Sequence, residues 1–140
     1  MPLDAIVGST YDKNYVQYRR IDKIDDNEVI CDIGVKTLER YSQVIRESKT
    51  IFLNGTVGLY EDMRFANGTK EILKALANSS ATVVVGGGDA SSSVHRLGYS
   101  DSFTYISSGG GATLEYLAKG TLVCLDIIQE EGSSIETLDM

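Results

Sequence analysis

The chain has 140 residues, 42% of them hydrophobic and 24% charged, which are the proportions of one globular domain with a single core. Its net charge of −7 is not offset by any cluster of Lys and Arg, so we expect neither nucleic acid nor an anionic membrane as a partner. No apolar run is long enough to span a bilayer, the N-terminus lacks a signal-peptide pattern, and Cys31 and Cys124 lack metal-binding spacing, which together favour a cytoplasmic protein with reduced thiols.

The apolar pattern predicts strands and helices that alternate along the chain. Strands are predicted at residues 4–7, 51–53, 83–85 and 105–106, a short extended piece at 15–18, and helices at 36–48 and 69–77. Thr37 and Thr69 stand at the starts of the two helices and are candidate N-caps. Further helical spacing follows the strands at 83–85 and 105–106.

This alternation predicts an α/β fold, with a three-layer, mostly parallel, Rossmann-like sheet and helices on both of its faces. Ligands of such sheets bind outside the carboxyl ends of the strands. Asn54, Asp89 and Ser107 all follow predicted strands. We therefore expect their loops to share one cleft.

Two triple-glycine turns are the most informative feature of the chain. Gly86, Gly87 and Gly88 end one predicted strand, and residues 109–111, also all glycine, follow the next. Glycine allows close approach of the backbone, and the free amides at a helix start attract an anion, so a strand, a glycine turn and a helix together favour phosphate binding. Neither turn has the P-loop or the G-x-G-x-x-G spacing, and a glycine cluster is also compatible with a plain turn.

Asp89 directly follows the first glycine turn. A carboxylate at this position can hold Mg²⁺ that bridges phosphate oxygens, because Mg²⁺ takes few carboxylates and several waters. The alternative is that Asp89 caps the following helix, as Asp often does.

Four motifs, in this order and spacing, resemble the carboxyl-terminal part of phosphoglycerate kinase. They are LNGTVGLYE at residues 53–61, FANGT at 65–69, VGGGD at 85–89 and ISSGGGATLE at 106–115. The resemblance also includes Asp32-Ile33-Gly34 and Leu97-Gly98, and it extends to about residue 119. The family transfers a phosphoryl group between 1,3-bisphosphoglycerate and ADP, and its carboxyl-terminal domain binds the Mg-nucleotide.

The resemblance implies a role for each matching residue. It places Asn54 near the nucleotide phosphates and Glu61 on the ribose hydroxyls. It implies that Gly86, Gly87 and Gly88 line the nucleotide cleft and that Asp89 holds the Mg²⁺. It also implies that Gly109, Gly110 and Gly111 begin the helix whose amides stabilise the transferring phosphoryl group. The implied ligands are ADP or ATP with Mg²⁺.

Four positions depart from the family pattern. Thr56 and Val35 each stand where proline is usual, Ala90 stands where Ser or Thr is usual, and Ile30 stands where a glycine usually lines the adenine pocket. We accordingly keep two alternatives to a kinase fragment. One is a non-catalytic nucleotide- or anion-binding module, and the other is a vestigial structural domain.

The resemblance also predicts the domain organisation. Residues 1–120 are expected to form a partial carboxyl-terminal nucleotide-binding domain, and residues 121–140 a divergent, loose tail. The amino-terminal domain, which binds 3-phosphoglycerate in the family, is expected to be missing, so the chain alone should be inactive and should bind that substrate only if the domain is supplied. The parallel sheet is expected to have an open edge, so that the chain self-associates through this edge or is only marginally stable.

Overall fold

The computed structural model describes residues 1–10, 12 and 14–128, and shows six strands and four longer helices with a 3-10 turn at Ile21–Lys23. The strands are β1 (Asp4–Ser9), β2 (Val16–Arg20), β3 (Glu28–Ile33), β4 (Thr50–Asn54), β5 (Thr82–Gly86) and β6 (Tyr105–Ser107). The helices are α1 (Val35–Glu47), α2 (Asn67–Ala77), α3 (Gly88–Arg96) and α4 (Gly110–Lys119). Residues 123–128 are also helical, and the rest of the predicted tail, 129–140, lies outside the described residues.

A parallel sheet carries the glycine turns. Its strand order is β4-β5-β6, with Leu53 opposite Val85, and Val85 opposite Ile106. The strands form here because short runs of β-branched and aromatic residues suit a pleated surface with little exposure. The predicted α/β class and Rossmann-like parallel sheet are confirmed.

A second sheet is antiparallel, with the order β2-β1-β3. The sequence predicted β1 and the extended piece at β2 but not β3, and the description "mostly parallel" applies to only one of the two sheets. β3 escapes prediction because Val29 and Ile30 are exposed while Asp32 is buried, which is the reverse of the usual pattern. A register irregularity between Ile6 and Val7 further disturbs the alternation of the sheet.

The main core lies between one face of the parallel sheet and helices α1 to α3. Val85 and Leu73 are fully buried there, as is Val94 of α3. α4 lies against the opposite face and leaves part of it open, since Val84, Tyr105, Tyr116 and Leu117 line an apolar groove of about 450 Å³ there. Helices therefore lie on both faces of this sheet, as predicted. None of the helices within residues 1–10, 12 and 14–128 has the length and apolar character needed to cross a bilayer.

The predicted helix caps are wrong. α1 has its N-cap at Gly34 and α2 at Ala66, so Thr37 and Thr69 lie inside the first turns of their helices. Two buried carboxylates from the antiparallel sheet take over the capping role. Asp4 accepts the amides of Lys36 and Thr37, at 2.9 and 2.8 Å. The corresponding carboxylate for α2 is Asp32, which accepts the amide of Gly68 at 2.7 Å.

Candidate functional site

The carboxyl ends of the three parallel strands meet at Asn54. Asn54 is paired with Gly86, and Gly86 with Ser107, so the ends of β4, β5 and β6 lie side by side. A Cβ added to Gly87 would lie 3.0 Å from the Asn54 side-chain oxygen, and one added to Gly110 would lie 3.7 Å from it. The structure thus brings Asn54 against both glycine turns.

The two glycine turns also contact each other directly. The amide of Gly87 donates to the carbonyl of Ser107 at 3.0 Å, and the Ser91 hydroxyl donates to the same carbonyl at 3.0 Å. A Cβ on Gly110 would lie 3.0 Å from the Cα of Gly87. Gly87 has φ +97°, which an L side chain rarely adopts, so both its conformation and its neighbours require glycine.

Each turn leads directly into a helix without a side-chain cap. Gly87 is the N-cap of α3 and Gly109 the N-cap of α4. A Cβ at Gly88 or Gly111 would meet nothing within 4 Å, so both residues border open space. The positive ends of two helix dipoles therefore open towards solvent beside Asn54, which is an arrangement suited to an anion.

Two acidic residues of the predicted site are exposed. Asp89 lies in the first turn of α3, one residue after its start, so the alternative that Asp89 is the N-cap is wrong. Glu61 lies in the loop between β4 and α2, which we define as the 55–66 loop. No group of three His, Cys, Asp or Glu residues that could hold a metal occurs in the part of the chain that the structure describes. Asp89 alone nevertheless fits Mg²⁺, because this ion commonly takes one or two carboxylates together with phosphates and water.

Three of the four departures from the family pattern have clearly different surroundings. Ala90 is fully buried and packs in the main core. The Thr56 hydroxyl donates to the carbonyl of Gly58 at 3.1 Å within the 55–66 loop. Ile30 is more than half exposed on β3.

Sequence reasoning gave no separate role to the carboxylate of Asp32. Burial raises the pKa of this carboxyl, and hydrogen bonds from the amides of Gly68 and Ile33 oppose that shift. The available signal is a single acidic residue at the end of the apolar run that begins at Val29. Such a residue is either exposed or bound to a specific partner, and only the structure identifies the partner.

A salt bridge holds the far end of the 55–66 loop. The Arg64 guanidinium donates to both carboxylate oxygens of Asp62, at 3.0 and 3.1 Å for its Nε. These hydrogen bonds lower the pKa of Asp62 from 3.8 to about 2. The same guanidinium lies 5.0 Å from the ring centroid of Phe65, which is buried.

Comparisons with known proteins give one consistent result. The family model described as Phosphoglycerate kinase matches residues 1–120. The phosphoglycerate kinase of Clostridium botulinum (strain 657 / Type Ba4) is 42% identical over 118 residues, which are 84% of this chain and 30% of that protein. The phosphoglycerate kinase of Leptospira biflexa serovar Patoc (strain Patoc 1 / Ames) is 43% identical over 124 residues, which are 87% of this chain and 31% of that protein.

Solved structures agree with the sequence matches. The phosphoglycerate kinase from Coxiella burnetii superposes with a TM-score of 0.80 at 34% identity, covering 91% of this chain and 33% of that one. The enzyme from Pyrococcus horikoshii OT3 gives a TM-score of 0.77 at 33% identity, covering 91% and 32%. The chain therefore spans about a third of the length of the relatives that it matches. On the match over residues 1–120, the chain belongs to the phosphoglycerate kinase family.

Proposed function

We propose that the chain supplies part of the Mg-nucleotide site of a phosphoglycerate kinase. Residues 1–120 would then be a partial carboxyl-terminal, nucleotide-binding domain of the family, and residues beyond 120 a divergent extension. The observation that carries the proposal is the convergence of Asn54 and the two glycine turns at the carboxyl ends of β4, β5 and β6. This is the end of a parallel sheet at which ligands bind.

The geometry supports a division of roles among these residues. The Asn54 amide and the turn at Gly86, Gly87 and Gly88 would contact the nucleotide phosphates, because they bring backbone and amide groups together with no intervening side chain. Glu61 would accept hydrogen bonds from the ribose hydroxyls. Asp89 would hold Mg²⁺, which neutralises phosphate charge when it is bound.

The second glycine turn would act on the group in transfer. Gly109, Gly110 and Gly111 open α4 beside the first turn, so the amides of this helix start would stabilise negative charge on the phosphoryl group. Phosphoryl transfer depends mainly on positioning and on charge stabilisation. In the family reaction the group passes between 1,3-bisphosphoglycerate and ADP, a step of glycolysis, which would place the protein in the cytoplasm.

Turnover would require more than these residues. Catalysis needs both reactants in line, and the residues described here form a site for the nucleotide only. We propose that 3-phosphoglycerate binds only when an amino-terminal phosphoglycerate kinase domain is supplied, and that this chain alone is inactive.

Titration with ADP, with and without Mg²⁺, followed by amide NMR, tests the binding proposal. We expect saturable, Mg²⁺-dependent shifts at Asn54, Glu61 and the glycine turns, weakened by Asp89→Asn. The matched control is Asp101→Asn, which removes an exposed carboxylate from the loop before β6, at the other end of the parallel sheet. A dispersed spectrum without shifts at millimolar Mg-ADP would reject a nucleotide site and favour a vestigial structural domain.

A second experiment separates the kinase fragment from a non-catalytic binding module. The chain is mixed with the remaining part of a relative such as the Clostridium botulinum enzyme, and phosphoryl transfer is assayed. Restored turnover that Asp89→Asn abolishes supports the kinase assignment. Nucleotide binding without turnover at saturating amounts of both parts supports the binding module instead.

A further inference from the structure

The carboxylate of Asp32 is buried and accepts hydrogen bonds from two backbone amides. The residue is 1% exposed, one oxygen accepts the amide of Gly68 at 2.7 Å, and the other accepts the amide of Ile33 at 2.8 Å. The first bond reaches the start of α2, 36 residues along the chain. Asp32 therefore joins β3 to α2 through a single buried side chain.

Two glycines permit this close approach. A Cβ added to Gly68 would lie 2.1 Å from a carboxylate oxygen of Asp32, and one added to Gly58 would lie 2.3 Å from the same oxygen. The Gly58 Cβ would also lie 2.5 Å from the carbonyl of Phe65, which is backbone and cannot rotate away. The Asp32 carboxylate is thus packed against Gly58 in the 55–66 loop and against Gly68 just after the loop ends.

The loop passes from this contact directly into the turn that carries Glu61. The amide of Leu59 donates to the carbonyl of Cys31, next to Asp32, at 2.9 Å. The amide of Asp62 then donates to the carbonyl of Leu59 at 3.0 Å and closes a four-residue turn that contains Glu61. On its other side the turn is held by α3, where the Arg96 guanidinium lies 5.9 Å from the ring centroid of Tyr60.

We propose that Asp32 is a positioning residue for the nucleotide site, fixing the 55–66 loop so that the Glu61 turn faces the cleft that begins at Asn54. This inference rests on the proposed function. Asp32 touches no ligand in this scheme and acts through the backbone of Gly58 and Gly68. Losing the oxygen that accepts the Gly68 amide would loosen the start of α2, where the 55–66 loop ends, because that amide would lose its buried acceptor.

Asp4 is a matched control within the same sheet. It is also fully buried, and it accepts two amides at the start of a helix, whereas Asp32 accepts one helix-start amide and that of its neighbour Ile33. Its partners are Lys36 and Thr37 of α1, however, and the Cβ site that it blocks is that of Gly34. Asp4→Asn and Asp32→Asn therefore both weaken a buried helix cap, but only the second changes a side chain that is packed against the 55–66 loop.

The experiment compares the two variants by two readouts, at a temperature at which both are folded. We expect Asp32→Asn to weaken Mg-ADP binding by about tenfold, the lower end of what loss of a supporting hydrogen bond costs at a site. We also expect it to speed amide hydrogen exchange at Leu59 and through the loop. Asp4→Asn should leave both quantities as in the unsubstituted chain.

Each outcome decides one question. If the unsubstituted chain binds Mg-ADP and Asp32→Asn binds it equally well, the positioning role is wrong. If the unsubstituted chain does not bind Mg-ADP, the proposed function fails, and unchanged exchange at Leu59 in Asp32→Asn would independently overturn the positioning role. If Asp32→Asn does not fold, Gly58→Ala takes its place, because it pushes the loop off Asp32 while leaving the carboxylate itself intact.

Discussion

The hydroxyl of Thr37 lies 2.6 Å from the carboxylate of Asp4 in the buried contact between α1 and β1. The same hydroxyl accepts the amides of Leu3 and Asp4, at 2.9 and 3.0 Å. The Thr37 hydroxyl thus provides the acceptor for two backbone amides at the beginning of β1, and it also orients the carboxylate that caps its own helix. Burial raises the pKa of Asp4, but hydrogen bonds from Thr37, from the amides of Lys36 and Thr37 and from Tyr18 more than offset this, so the pKa lies below its ordinary 3.8.

We predict that Thr37→Val lowers the free energy of unfolding by about 2 kcal/mol, because it leaves buried polar groups without partners while keeping the shape of the side chain. Urea denaturation measures the change. Thr82→Val is the control, since Thr82 is an exposed strand residue at which a β-branched replacement should be nearly neutral. Equal stability of the two variants would show that the network around Asp4 contributes nothing.

The conformation of Gly87 gives a second prediction, for which Gly98 provides the control. Both have positive φ, +97° and +80°, so an alanine at either position should cost about 1–2 kcal/mol of stability. Only at Gly87 would the added Cβ approach Asn54, at 3.0 Å, whereas at Gly98 it meets nothing within 4 Å. Gly87→Ala should therefore weaken Mg-ADP binding and Gly98→Ala should not, as measured by titration. Equal affinities would remove the first turn from the proposed site.

The salt bridge between Asp62 and Arg64 predicts a specific pH dependence. Because the folded chain holds the Asp62 proton less tightly than the unfolded chain, this carboxylate stabilises the fold above pH 3.8, and the contribution disappears as the pH falls towards about 2. Asp62→Asn should thus flatten the decline of unfolding free energy across that window. The check is urea denaturation at several pH values, with Asp101→Asn as the reference. A decline as steep as in the unsubstituted chain would contradict the assignment.

The outer edge of β4 predicts self-association. Among the described strands β4 pairs only with β5, so its other edge carries unpaired backbone groups of the kind that join chains. An apolar groove of about 380 Å³ adjoins this edge, with Val44, Leu53 and Val57 in its lining. We expect oligomers at micromolar concentrations in sedimentation velocity.

Two substitutions on one helix locate the contact surface. Val44 in the groove and Val35 outside it are 56% and 58% exposed on α1. Val44→Lys should shift the population towards the monomer, and Val35→Lys should not. A monomer at all concentrations for the unsubstituted chain would refute the prediction.

Local patterns predicted most of the parallel half of this fold. Residues 83–85 end in glycine and residues 69–77 have helical spacing, so each element is recognisable from a few neighbouring residues. The position of Asn54 beside both glycine turns also follows from the predicted strands, because the carboxyl ends of parallel strands lie at one edge of a sheet. The binding roles of these residues stay predictions.

The antiparallel half was harder to predict from the sequence, because its elements depend on partners distant in the chain. β3 shows no alternation, since its exposed residues are Val29 and Ile30 and its buried residues are Cys31 and Asp32. Neither threonine at a helix start turned out to be a cap. Propensity favours a local cap, but in each helix a buried carboxylate from the antiparallel sheet accepts the hydrogen bond of a helix-start amide instead.

The sequence by itself determined the order of most strands and helices, the glycine turns and the family, since these are properties of neighbouring residues or of motifs. Only the tertiary structure decided that Asp4 caps a helix 32 residues away and Asp32 one 36 residues away. The physical reason is that a buried charge needs compensating donors, and which amides supply them depends on how the sheet and the helices pack.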